Sequence, residues 1–311
     1  MGRRRRHPAR VALICLTALT TGCAATVGPV GASPSEDLSP AASPTATTSG
    51  WATARAASTI SPETVPRPSR SSARAMTANA ILAAAVADGT LRGKTILIDP
   101  GHNGANSRNP KVINRKVFIG NGTKACDTTG TETNAGYPEY AFNLDVSTQL
   151  ASMLRSAGAA VVLTRTTNTG VGPCITERAA AATTAGADVA ISIHADGAAS
   201  AERGFHVIVP GKIGRNNAIV PPSRQLGIQV RDAFRAGTSE PLSTYAGTRT
   251  GAVVVRSDLG GLNLSTVPKI FIECGNMRNA TDARQMTTPA WRRQAATALA
   301  AGLTSYLVGQ G

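Results

Sequence analysis

An α/β domain, with a mainly parallel twisted sheet and helices on both faces, is what the sequence predicts, and three observations predict it. Short β-branched runs alternate with helical periods from about residue 95 onward. The composition is 42% apolar but only 4% aromatic and 16% charged, which supplies a core of small residues and does not suit a coiled coil. No apolar run reaches the roughly 18 residues that a spanning helix needs, so a polytopic membrane protein is excluded. At 311 residues the chain has room for one domain of about 200 to 250 residues with appendages.

The appendages come first. Arg3, Arg4, Arg5, Arg6 and Arg10 form a charged start, and Val11 to Leu19 follow as an apolar stretch too short to cross a bilayer. Residues 1–23 therefore read as an export signal. Leu19-Thr20-Thr21-Gly22-Cys23 resembles a lipobox, the motif of bacterial lipoproteins in which the Cys is acylated, although Thr20 stands where Leu is usual. Two readings stay open, lipidation of Cys23 or ordinary cleavage with Cys23 incidental. Both send the protein to the periplasm or cell wall, and lipidation adds an anchor on the outer face of the cytoplasmic membrane. Residues 24–75 are rich in Ser, Thr, Pro and Ala, with few large apolar residues and no periodicity. Such a segment cannot bury enough surface to offset its ordering entropy, and it is expected to be a disordered linker.

Residues 76–311 carry the domain. Strand runs are expected at Thr95 to Asp99, Ala160 to Thr164, Val189 to His194, Phe205 to Val209, Ala252 to Arg256 and Lys269 to Glu273, with the runs near 205 and 252 open to an antiparallel placement. Helices are expected near 139–157, 175–186, 223–236 and 286–307. No internal repeat and no second domain is visible.

In a parallel sheet of this kind the ligand crevice lies beyond the carboxyl ends of the strands. His102 follows the first run, His194 ends the third and Glu273 ends the last. Glu139 joins them from a helix start. Pro138 suits a first helical position, and an acid there faces the positive end of the helix dipole. The helix stripe is Phe142, Val146, Leu150, Met153, Leu154 and Ala157; Glu139 falls on that stripe and Asp145 off it. A carboxylate on a buried face needs a partner, and a metal ion is one. His102, Glu139 and His194 make a two-nitrogen, one-oxygen set suited to Zn2+ with an open fourth position, leaving Glu273 to accept a proton from water. Each residue alone also fits a structural role, and the long irregular spacing does not decide between the two. His206, inside a strand run, reads as structural. The glycines after Asp99 lack both the dinucleotide fingerprint and the Lys-Ser/Thr of a phosphate loop, so no nucleotide cofactor is expected.

The chain has 32 Lys and Arg against 18 acids, a net charge of +14; the five leader arginines account for five of that surplus, and nine remain without them. That balance favours a polyanionic partner without choosing among nucleic acid, anionic lipid and anionic wall polymer. No aromatic-rich basic strand or module points to nucleic acid. Export permits a disulfide. Cys126 and Cys174 both lie in loop-like sequence, whereas Cys274 ends an apolar strand run, so the expected bridge is Cys126–Cys174, with Cys274 a buried hydrophobe.

Several motifs together resemble one family. Ile96-Leu97-Ile98-Asp99-Pro100-Gly101-His102-Asn103-Gly104, the Glu139 helix, Leu163-Thr164-Arg165, Glu177-Arg178-Ala179, Ile191-Ser192-Ile193-His194-Ala195-Asp196 and the run from Ile270 to Asn279 are similar, in order, to the zinc-dependent N-acetylmuramoyl-L-alanine amidases of the type 3 cell-wall hydrolases, in an actinobacterial or mycobacterial style. The resemblance implies Zn2+ on His102, Glu139 and His194, and Glu273 as catalytic acid/base. It implies peptidoglycan or its muropeptides as substrate, cleaved between N-acetylmuramic acid and L-alanine in wall turnover and daughter-cell separation, by a monomer. The alternatives are a zinc exopeptidase acting on the stem peptide and a non-catalytic wall-binding lipoprotein.

Overall fold

A computed structural model of the chain describes residues 77–310. The expected export signal, Cys23 and the linker lie outside the described residues. Thr77 caps the first helix by accepting the Ala80 amide at 3.3 Å. That helix is α1 (Ala78–Asp88), followed by β1 (Thr95–Pro100), a short α2 (Pro110–Ile113), the hairpin strands β2 (Lys116–Phe118) and β3 (Thr123–Ala125), and α3 (Glu139–Ser156). Next come β4 (Ala160–Leu163), α4 (Ile175–Thr184), β5 (Val189–Asp196), β6 (His206–Pro210), α5 (Val220–Thr238) and β7 (Val253–Arg256). The chain continues through α6 (Gly260–Asn263), β8 (Lys269–Asn276), α7 (Ala280–Thr287) and α8 (Pro289–Val308).

Six strands form one sheet in the order β4-β1-β5-β8-β6-β7. β4, β1, β5 and β8 are parallel. β6 runs antiparallel to β8 and parallel to β7. The two runs whose direction the sequence left open are thus the pair that points the other way.

Alternation along the strands gives the sheet two unlike faces. Ile96, Ile98, Ile191, Ile193, Ile270 and Ile272 are fully buried on one of them. Against it pack Phe142, Val146, Leu150 and Leu154 of α3, Leu226, Val230 and Phe234 of α5, and the alanine-rich side of α8. This is the main core, and its closeness explains the small residues: a Cβ on Gly302 of α8 would meet the α5 backbone at 2.8 Å. The other face carries a smaller apolar cluster of Leu97, Ala182, Ala187 and Ala190 under α4. Beyond that cluster it turns polar, with Asp99, Ser192 and Lys269 buried. His194 and Glu273 share this polar face by strand alternation.

One expected helix divides. The stretch 286–307 belongs to two elements, because Pro289 opens α8 and the preceding Thr288 is held extended at φ −85°, ψ 120°. A disulfide joins Cys126, just past β3, to Cys174, the residue before α4, and Cys274 is buried and free.

Candidate metal and catalytic site

The site forms where β1 and β5 end and α3 begins. Gly101 follows β1 in a position that only glycine can occupy, since a Cβ there would lie 2.1 Å from the His194 ring. His102 comes next at φ +58°, in the left-handed region that ordinary side chains avoid. Glu139 is the first residue of α3, with Pro138 just before the helix rather than inside it. Its carboxylate is buried at 4% exposure on the helix's core-facing side. His194 stands near the end of β5, stacked on Phe271 with ring centroids 5.3 Å apart and planes within 5°.

These three side chains meet. Glu139 Oε1 lies 2.9 Å from His194 Nδ1, and Glu139 Oε2 lies 3.2 Å from His102 Nε2. One ligand atom from each of the three falls within 4.8 Å of the others. The carboxylate is steadied by donors around it: the Asn143 amide at 3.2 Å, the Ala195 backbone at 3.3 Å and the Thr131 backbone at 3.0 Å. Two imidazoles and one carboxylate converging in this way are the donor set of an open divalent-metal site, so the residues present fit such an ion.

Charge reinforces that reading. Burial works against a charged His102, yet the Glu139 and Asp127 carboxylates outweigh it and raise its pKa to about 10. Burial likewise opposes ionisation of Glu139, but His102 and His194 hold its pKa well below the ordinary value. The pocket is built to hold positive charge.

Glu273 lies on β8, paired in register with His194 across the parallel β5–β8 ladder. Its side chain is half-buried. Burial, then the nearby Glu139 and Asp196 carboxylates, push its pKa well above the ordinary value. It shares a cleft of about 330 Å³ with His102, Glu139, His194 and Asp196. A second cavity of about 340 Å³ adjoins the two histidines under the β2–β3 hairpin, lined by Lys116, Lys124, Ile175 and Phe271 among others.

His206 stays outside this cluster of ligand atoms. It is buried on β6, opposite Glu273 in the antiparallel ladder, and burial lowers its pKa to about 4. The supports of the site were missed from the sequence. Asp99 accepts from Thr164, Ser192, Arg178 and Lys269; burial opposes its charge, but Lys269 and Arg178 hold its pKa far below the ordinary value. Arg165 donates to the Pro100, Gly101 and Tyr140 carbonyls at 2.8 to 3.0 Å, tying the His102 turn to the helix that carries Glu139. The sequence signal for these groups is that Asp99, Thr164, Arg165, Arg178 and Ser192 sit in the short motifs that carry the family resemblance.

Residues 96–305 match the family model described as N-acetylmuramoyl-L-alanine amidase. The N-acetylmuramoyl-L-alanine amidase Rv3717 of Mycobacterium tuberculosis is 38% identical over 233 residues, covering 74% of this chain and 93% of that protein. Among solved structures, the amidase Ami1 of Mycobacterium smegmatis is 36% identical with a TM-score of 0.66, over 71% of this chain and 99% of that one. Ami1 of Mycobacterium abscessus, in its apo form, is 38% identical with the same TM-score of 0.66, over 70% of this chain and all of that one (100%). With a match along the whole sheet and relatives of this similarity, the chain belongs to the N-acetylmuramoyl-L-alanine amidase family.

Proposed function

We propose that this peptidoglycan amidase is a zinc hydrolase in which His102, Glu139 and His194 hold the ion and Glu273 moves the proton. The observation that carries the proposal is the meeting of three ligand atoms within 4.8 Å of one another in a cleft that the half-buried Glu273 also lines. Two nitrogens and one oxygen suit zinc, which when bound supplies Lewis-acid polarisation of a carbonyl and of water.

The chain's own residues do the rest. Glu273 takes a proton from the attacking water as the carbon–oxygen bond forms at the lactyl carbonyl of N-acetylmuramic acid. It returns that proton to the alanine nitrogen as the carbon–nitrogen bond breaks, so that L-alanine leaves as an amine. A carboxyl whose pKa is raised by burial and by Glu139 and Asp196 is suited to the second transfer, because its acid form survives nearer neutral pH. Glu139, fixed by Asn143 and two backbone amides, keeps the two imidazoles facing one point.

The amide between N-acetylmuramic acid and L-alanine is the bond proposed, and wall turnover with daughter-cell separation is the role. The apparent export signal and the named relatives support a location outside the cytoplasmic membrane, with Cys23 as the candidate anchor and the monomer as the working unit. Mass spectrometry of digested muropeptides tests the bond: intact stem peptides with a free L-alanine amine are expected. Shortened stems still attached to the sugar would establish a zinc exopeptidase instead, and no product from zinc-loaded protein would establish a non-catalytic wall-binding protein.

A further inference from the structure

His102 is the member of the triad with a strained backbone. Its backbone is held at φ +58°, a conformation that costs energy outside glycine and persists only where the surroundings impose it. Those surroundings are dominated by one buried guanidinium. Arg178, on α4 and 4% exposed, donates Nη1 to the Pro100 carbonyl at 2.8 Å and Nη2 to the carbonyl of His102 itself at 3.1 Å. The same guanidinium pairs with Asp99 at 2.8 Å and with Asp127 at 3.3 Å.

Asp127 continues the chain to the ring. Its Oδ1 lies 3.5 Å from His102 Nδ1 and accepts the Thr128 amide at 2.7 Å, which sets the turn whose Thr128 carbonyl stands 3.1 Å from that same ring nitrogen. The Thr128 hydroxyl, 3.2 Å from the same nitrogen, can donate or accept, whereas a carbonyl can only accept, so the carbonyl and carboxylate contacts favour a hydrogen on Nδ1. Nε2 is then the nitrogen that faces Glu139 and remains for a metal. Neither residue reaches the ligand cluster, and both act through His102. Cys126 precedes Asp127 and Cys174 precedes α4, so the disulfide ties together the two segments that bear Asp127 and Arg178.

We infer that Asp127 and Arg178 are positioning residues for the metal site: the arginine fixes the backbone of His102 and, through Asp127, the tautomer and orientation of its ring. The inference rests on the metal-binding reading of the triad. A carboxylate behind a ligating imidazole also makes that imidazole a better donor, and losing such a partner ordinarily lowers metal affinity 10- to 100-fold or about that range.

The test measures zinc affinity of the full chain by competition with a chromophoric chelator, together with long-range proton–nitrogen spectra of the imidazoles in the zinc-loaded protein. Asp127→Asn keeps the size of the side chain and removes its charge. It should weaken zinc binding by about 10- to 100-fold and mix the His102 tautomers, while Asp127→Glu restores part of both. Arg178→Lys should move affinity the same way; Asp127→Asn is the primary variant because it spares the buried guanidinium. Glu240→Gln, the same kind of replacement at a buried acid away from the site, is the control for loss of a buried carboxyl elsewhere in the fold and should leave affinity unchanged. Equal affinity and an unaltered Nδ1–H tautomer in Asp127→Asn would overturn the inference alone, as would an equal loss in Glu240→Gln. A wild type that takes up no zinc would overturn the metal reading, and this inference with it.

Discussion

Gly101 shows how tightly single residues are constrained at this site. Its missing Cβ leaves room for the His194 ring, so Gly101→Ala must push the ring or the β1 turn aside. The imidazole is backed by Phe271, so it has little freedom to yield. Gly101→Ala should therefore lose most bound zinc while the far-ultraviolet circular dichroism stays native, and a variant with full zinc content would show that the ring can move freely. At this scale the sequence was readable where chemistry sits at strand ends: His102, His194 and Glu273 follow apolar runs, and Glu139 shares a helix face with Phe142 and Val146. Arg165 and Arg178 were not readable as supports. Among their partners are backbone carbonyls 64 to 78 residues away in the chain, and no local pattern records such bonds.

Among the elements, the long ones were legible because they bury a face. β1, β5 and β8 are nearly continuous apolar runs because both faces of a parallel sheet are covered. The stripe of α3 follows the 3.6-residue period for the same reason. β2 and β3 have three residues each and are largely exposed, so they leave no periodic trace, and the alanine-rich α1 buries only Ala85. What fixes the hairpin region is covalent: the Cys126–Cys174 bridge joins its end to the start of α4 across 48 residues. Non-reducing peptide mapping should recover that pair with Cys274 free. Replacing both bridged cysteines by serine should cost about 2 to 4 kcal/mol in unfolding free energy. A linkage involving Cys274, or no loss of stability, would contradict this account.

For the molecule as a whole, stability depends on buried charges outside the triad. Asp99 titrates well below its unfolded value because Lys269 and Arg178 outweigh its burial, so its contribution is complete above the unfolded carboxyl pKa and is lost as the pH falls below it. Glu240 acts in the opposite sense. Burial, then the Asp282 carboxylate beside it, raises its pKa to about 8. Its contribution is complete below the unfolded value and is lost progressively as the pH rises to about 8. Glu240→Gln should therefore raise the melting temperature at pH 8 more than at pH 5, and an equal change at both would contradict the assignment. The composition of residues 24–75 makes a separate prediction: deleting them should leave turnover of soluble muropeptides nearly unchanged, whereas a collapse of activity would place part of the catalytic domain inside them. The central claim is the division of labour between a metal-holding triad and a proton-moving Glu273, and it is tested most directly by assaying zinc content and stem-peptide release on the same sample of Glu273→Gln. The account predicts zinc near that of the wild type and turnover lower by about 10² to 10⁴-fold. Loss of the zinc would make Glu273 a ligand, and full turnover would give the proton transfer to another group.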